Sequence, residues 1–378
     1  MTTTHAGAPA RPDRTARARR RPSWRMACLC ALALGLAACS SATGPSSASS
    51  GSTPAAVAGT PSSSASPWTP LVGVADPWIA YEGPITGGIG NRLVRPDGTG
   101  DHRATPDGPV SQYHPDWSPD GQRIAFEADD PRHPGESVNR DLWVSDANGG
   151  NLERLFDCEL PCKAASDPAW SPDGQSLAFD VGDTKDDVDV NIRIAVLDLR
   201  TRAVRTVFVA AGTDELLRPR WSPDGRTLVF ETQRWTDGSS TGTLLGTAIA
   251  TVPATGRATR QTVITPWSRC ASYPDWHPTQ DLILFSIYGC PKLTGPFNLW
   301  TVRPDGSHLT QVTHYPKGPG TRAIQPTFTP DGTHISFTTT EGDAMSTATM
   351  AEVALDGSGL MSVGPLFGTH PRLRPTVR

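Results

Sequence analysis

A chain of 378 residues with a formal net charge of −4 is long enough for one closed all-β domain, and it carries too little positive charge to hold nucleic acid without sequence preference. The seven arginines and one aspartate of residues 1–38 contribute +6, so the rest of the chain carries −10. Any attachment to a membrane must then come from something other than a basic patch.

The first predicted element is an export signal. Arg11, Arg14, Arg17, Arg19, Arg20, Arg21 and Arg25 precede an apolar run from Met26 to Ala38, the charge-then-apolar order of a secretory leader. Leu36-Ala37-Ala38-Cys39 resembles the lipobox of bacterial lipoproteins, which implies cleavage after residue 38 and a lipidated Cys39. Residues 39–70 are almost entirely Ser, Ala, Thr, Pro and Gly, and such a stretch cannot bury enough surface to offset its ordering entropy. It is expected to be a flexible tether between a membrane and the domain of residues 71–378.

That domain opens with Trp78-Ile79-Ala80-Tyr81, which reads as the second strand of a unit that lacks its first. A phrase then recurs, beginning Pro115-Asp116-Trp117-Ser118-Pro119-Asp120-Gly121 and followed by Ile124-Ala125-Phe126. Its aromatic position falls at Trp117, Trp170, Trp221, Trp276 and Phe328, in steps of 53, 51, 55 and 52 residues. A spacing of this size marks an array of supersecondary units. Proline fixes φ at the second position of a turn, aspartate bonds nearby backbone, and glycine takes the positive φ that returns the chain to a strand, so Ser-Pro-Asp-Gly joins two antiparallel strands. Each unit continues with another run, such as Asp141-Leu142-Trp143-Val144 or Asn298-Leu299-Trp300-Thr301-Val302, and a fourth strand closes it. At the end, His370-Pro371-Arg372-Leu373 echoes the start of every repeat. This strand is expected to pair with the N-terminal half-unit and remove two sheet edges. The expected fold is all-β, a six-bladed β-propeller of four-stranded blades closed in that way.

The repeated Pro-x-Trp-Ser-Pro-Asp-Gly phrase with its Ile-Ala-Phe sequel resembles the TolB-like β-propeller repeat family over residues 71–378. The resemblance implies a propeller fold. TolB also carries an α/β domain ahead of its propeller, which this sequence is expected to lack, and no Gly-x-Ser-x-Gly elbow of a propeller-linked hydrolase is evident.

Four cysteines remain after the leader and Cys39: Cys158, Cys162, Cys270 and Cys290. Pairing within each local couple is expected, because a Cys-x-x-x-Cys without a second nearby pair is a poor zinc site and an exported chain meets an oxidising compartment. Asp183, Asp186, Asp187, Asp189 and Asn191 mimic the start of a calcium loop, but Ile192 stands where that loop needs glycine. The alternation of Val188, Val190, Ile192, Ile194 and Val196 predicts a strand instead. The repeated tryptophans and phenylalanines are expected to pack between sheets.

The residue before each repeat proline is His114, Asp167, Arg218, Tyr273, Gln325 or His370, all polar and one from each unit. Because first strands line a propeller channel, these six are the candidate ligand-binding residues of a channel mouth, and no catalytic residue is assigned. Among them His114, Asp167, Gln325 and His370 could hold a divalent ion such as manganese or zinc. The expected function is a lipid-anchored, extracytoplasmic binding or scaffolding module for a cell-envelope protein or peptide, monomeric, without a required cofactor and without nucleic acid. One alternative is a metal-dependent enzyme of the polysaccharide lyase or hydrolase type; the other is a sensor or carrier of a small ligand.

Overall fold

The computed structural model describes residues 77–375 apart from 106–107, 110, 131, 133–139, 186–187, 238–241, 288–296, 317–319, 343 and 365–366. The expected leader, lipidation site, tether and Cys290 lie outside the described residues.

The Ser-Pro-Asp-Gly turns build the hairpins through side chains as well as backbone. The Ser118 hydroxyl donates to Asp120 Oδ1 at 2.6 Å and accepts the Arg123 N–H at 2.9 Å, while Asp120 Oδ1 accepts the Gln122 N–H at 3.0 Å. Gly121 takes φ 64°, which any side chain would make costly. The same bonds recur at Ser171 with Asp173, at Ser222 with Asp224 and at Thr329 with Asp331. In the copy that lacks Ser and Asp, His277 Nδ1 accepts the N–H groups of Thr279 and Gln280 at 3.1 Å each.

These bonds have an acid signature. The Ser171 hydroxyl and the Gln175 N–H hold the Asp173 carboxyl below its usual range, and Ser222 and the Arg226 N–H do the same for Asp224. A carboxyl with a depressed folded-state pKa contributes stability that is complete above its unfolded value of about 3.9 and is lost as pH falls through the folded value. Replacing both, Asp173→Asn with Asp224→Asn, should lower the Tm at pH 7 by roughly 2–4 °C and flatten its decline below about pH 4. Thermal melts from pH 7 to pH 2.5 check this, and an unchanged acid limb would show that these turns do not set it.

Among the described residues the secondary structure is all strand, apart from a 3-10 turn at Trp267–Arg269. Three four-stranded antiparallel sheets follow chain order, such as Glu215–Trp221, Thr227–Trp235, Leu244–Pro253 and Thr262–Val263. The fourth has the order Thr369–Leu373, Ile79–Ile85, Gly88–Val94, His102–Arg103, so the chain's last strand enters its first sheet. Ile79 pairs with Leu373 and Glu82 with Thr369 in this seam. Trp117 Nε1 donates to the Arg372 carbonyl at 3.0 Å, and Arg374 Nε to the Gly121 carbonyl at 2.7 Å, which tie the seam to the next sheet.

The structure departs from the expectation of six separate blades. Four sheets stand apart as blades, while the strands from Gln112–Trp117 through Val204–Val209 form one eight-stranded sheet. It consists of two antiparallel meanders joined through a single parallel pair, Arg140 with Ala164. The connection explains the join: a Cys158–Cys162 disulfide closes the link, and the Cys158 N–H donates to buried Asp141 at 2.8 Å. That draws the start of Cys162–Trp170 alongside Arg140.

The core lies between neighbouring sheets. Phe126, Phe179, Phe230, Phe285 and Phe337 are wholly buried, and burying such a side chain contributes about 1.5–3 kcal/mol. In the expected strand Val188–Asp198 both Ile194 and Val196 of one face and Ala195 and Leu197 of the other are buried. A sheet packed on both sides has no wet face, which is why the alternation fades there.

Candidate functional site

Each innermost strand carries a bulge at the residue before its proline. The register shifts between Tyr113 and Asp116, Ser166 and Ala169, Leu217 and Arg220, Ser272 and Asp275, and Ile324 and Thr327. Opposite Ala80 and Glu82 the final strand does the same. His114, Asp167, Arg218, Tyr273, Gln325 and His370 accordingly take φ of 49°, 53°, 57°, 55°, 55° and 52°. This left-handed backbone costs a non-glycine residue roughly 1–2 kcal/mol.

What offsets that cost is a buried acceptor on the second strand of the preceding repeat. The bulge turns the N–H of His114 to Glu82 Oε1 (2.7 Å), of Asp167 to Glu127 Oε2 (2.9 Å), of Arg218 to Asp180 Oδ1 (3.1 Å) and of Tyr273 to Glu231 Oε2 (3.1 Å). The His370 N–H goes to Thr338 Oγ1 and Gln325 Oε1, each at 3.2 Å. Hydrogen bonds to a charged acceptor are the stronger kind, and Glu82 and Glu127 are held in their charged form. Glu82, Glu127, Asp180 and Glu231, all buried, were missed as site residues in the sequence reading. Their signal was positional: each directly follows the aromatic residue of its second strand, where Ser286 and Thr338 stand in the other two repeats.

The six expected residues do converge, but not as an open mouth. Five of them, Asp167, Arg218, Tyr273, Gln325 and His370, line a void of about 10 Å³, space for a single water or a bare ion. His114 meets His370 edge to face at 4.4 Å between ring centroids, and its Nδ1 lies 3.2 Å from Glu127 Oε1 and 3.3 Å from Asp167 Oδ1. Arg218 stacks over the Tyr273 ring at 3.9 Å and pairs with Glu231 at 2.9 Å. The side chains themselves fill the channel at this level.

Electrostatics here follow from burial and close carboxylates. Burial disfavours a charge on His114, but Asp167, Glu127 and Glu82 outweigh it and lift the imidazole to about 9. Burial would raise Glu82, yet His370 and His114 hold it well below the carboxylate range, and His114 with Arg140 lowers Glu127 likewise. Asp180 goes the other way, raised well above its ordinary value by burial and by Asp167 and Glu127.

A ligand-sized space lies on the other side of this ring. It is a funnel of about 330 Å³, and its wall alternates the repeat aromatics Trp117, Trp170, Trp221, Trp276 and Phe328 with the turn prolines. The tryptophans thus do more than pack between sheets: Trp117, Trp170 and Trp276 are 5%, 6% and 8% exposed and show that remnant to the funnel. Its floor holds Asp116, Arg220, Asp275 and Arg372, each one residue after a repeat proline. Arg372 sits 3.8 Å from Asp116 and 3.9 Å from Asp275, and Arg220 4.0 Å from Asp275, separations too long for hydrogen bonds. The aspartates spend an oxygen on backbone instead: Asp116 accepts the Trp170 N–H and Asp275 the Phe328 N–H, both at 2.8 Å. Burial and the neighbouring Arg220 charge both depress Arg372. The floor thus presents two crowded guanidinium groups, and buried Arg220 Nε has no hydrogen-bond partner among the described residues.

No protein-family model matches the chain. An uncharacterised protein of Agrobacterium fabrum is 34% identical over 105 residues, a match spanning 27% of this chain and 35% of that protein. The crystal structure of TolB from Acinetobacter baumannii aligns with a TM-score of 0.57 at 17% identity, covering 79% of this chain and 66% of that one. A TolB-type structure from Agrobacterium tumefaciens aligns at 0.51 with 21% identity, covering 68% and 82%. The chain shares the TolB propeller fold.

Proposed function

We propose that this protein is a six-bladed propeller, its eight-stranded sheet acting as two blades, which holds an acidic peptide segment of a cell-envelope protein in its axial funnel. The funnel floor carries the reading. Arg220 and Arg372 are desolvated, crowded by each other and only loosely paired with Asp116 and Asp275, so a carboxylate that entered would gain two charge-assisted partners. Around them the tryptophans and prolines offer the apolar, rigid wall on which a peptide buries side chains at little entropic cost. The TolB-like fold supports a protein-binding role at this coarse level. Lipid on Cys39 and the tether of residues 39–70 would hold the propeller at an extracytoplasmic membrane surface as a monomer.

A photo-reactive residue at position 223, on the funnel wall, tests this in intact cells. Discrete cross-linked envelope species are expected, reduced about tenfold or more by Arg220→Glu with Arg372→Glu, since opposing charge at a desolvated pair costs more than 1.4 kcal/mol. Cross-links of equal yield in the double variant would remove the funnel floor from the binding site.

A further inference from the structure

We propose that Glu82, His114 and His370 form a binding site for one divalent transition-metal ion, a site separate from the peptide funnel. Three strands bring them together: Ile79–Ile85 carries Glu82, its seam partner Thr369–Leu373 carries His370, and Gln112–Trp117 carries His114. One donor atom from each lies within 4.8 Å of the others. Glu82 Oε1 is 3.1 Å from His370 Nδ1 and 3.9 Å from His114 Nε2. Ligands about 2.1 Å from a tetrahedral zinc ion stand about 3.4 Å from one another, so these separations bracket the edge such an ion needs. Two imidazoles and one carboxylate suit zinc, cobalt or manganese, and not calcium, which takes oxygen ligands.

Two further observations point to a ligand. The His370 side chain is nine-tenths buried, yet neither ring nitrogen makes a hydrogen bond among the described residues; the 3.1 Å approach to Glu82 lacks the geometry of one. Nδ1 meets only the Glu82 carboxylate, the other member of the set, and a buried Nε2 with no partner is costly unless something else uses it. At His114, Nε2 faces Glu82 while Nδ1 faces the carboxylates of Glu127 and Asp167, the arrangement by which an outer carboxylate orients a metal-bound histidine.

Relative to the ligand set expected from sequence, the two histidines stay and the other two change role. Asp167 becomes an outer partner of His114, and Gln325 spends its Oε1 on the His370 N–H. Glu82 takes their place. No hydrolytic or lyase step is assigned to the ion.

The test uses the full chain, purified without a histidine tag, stripped with a chelator and freed of it. Titration with Co²⁺ should develop a visible ligand-field band that saturates at one equivalent, and Zn²⁺ should bleach it and raise the Tm. Glu82→Gln and His370→Gln should each weaken Co²⁺ binding more than tenfold while retaining cooperative unfolding, and exposed His308→Ala should bind as the parent does. X-ray absorption of the parent zinc form needs no variant and should report two imidazoles. Absence of a band and of a Tm shift in the folded parent would overturn the site and leave His114 as an imidazolium paired with Glu127 and Asp167. A band surviving in both variants, or a zinc shell without imidazole, would overturn it as well.

Discussion

A chain that stops before Thr369 should lose its single cooperative unfolding transition, lower its Tm by about 10 °C or more and self-associate. Only residues 369–378 are removed, but they hold the strand Thr369–Leu373 that is the seam of the array. Its loss leaves Ile79–Ile85 as an open sheet edge and uncovers Ile79 and Tyr81, which are 0% and 1% exposed in the closed molecule. It also deletes Trp117 Nε1 to the Arg372 carbonyl, Arg374 Nε to the Gly121 carbonyl, the Arg374 N–H to the Trp78 carbonyl and Thr369 Oγ1 to Glu82. Those bonds join residues more than 250 positions apart, so no local contact replaces them. Calorimetry and size-exclusion chromatography on the truncated chain, with and without a synthetic peptide of residues 367–378, decide the matter. Recovery of the transition by the peptide is expected. A monomer with the parent's Tm would mean that the array is held by its sheet-to-sheet packing alone.

Glu127→Ala should destabilise the protein by roughly 3–5 kcal/mol, the cost of removing one partner from a buried charged network. Glu127 is fully buried; it accepts the Asp167 N–H at 2.9 Å, pairs with Arg140 at 2.7 Å and faces His114 at 3.2 Å. Truncation would take from His114 and Arg140 the one carboxylate they share, leaving His114 with Asp167 and Glu82 and Arg140 with Asp129, and would leave a strained bulge without its acceptor. Glu127→Gln keeps an acceptor for the Asp167 N–H and should cost less. Ser286 occupies the equivalent place three repeats on, and its buried hydroxyl has no hydrogen-bond partner among the described residues, so Ser286→Ala should change stability by less than about 1 kcal/mol. Urea unfolding of the three variants measures the contrast. If Glu127→Ala and Ser286→Ala cost the same, the acidic layer contributes nothing beyond filling space.

The repeat itself was legible because its physics is local. Ser-Pro-Asp-Gly specifies a turn through bonds among residues at most five apart, and the hydrophobic triplet after it specifies a strand, so hairpins, strand order and the all-β class follow from the letters alone. The seam was legible for the same reason: His370-Pro371-Arg372 copies the column that every first strand carries. Convergence of His114, Asp167, Arg218, Tyr273, Gln325 and His370 also followed from that column.

How closely those six would crowd could not be read in the same way. The space left on an axis depends on the tilt and spacing of whole sheets, and here it shrinks to a void beside the ring and opens to a funnel beyond it. The join of two expected blades through Arg140 and Ala164 depends on how one short link packs against Asp141. By itself, then, the sequence determined the turns, the strands and which residues recur at each radius of the array. Only the tertiary structure decided that Glu82 would meet His370 across 288 positions of chain and that Arg220 would crowd Arg372, because each contact is made between sheets and no repeat encodes its neighbour's distance.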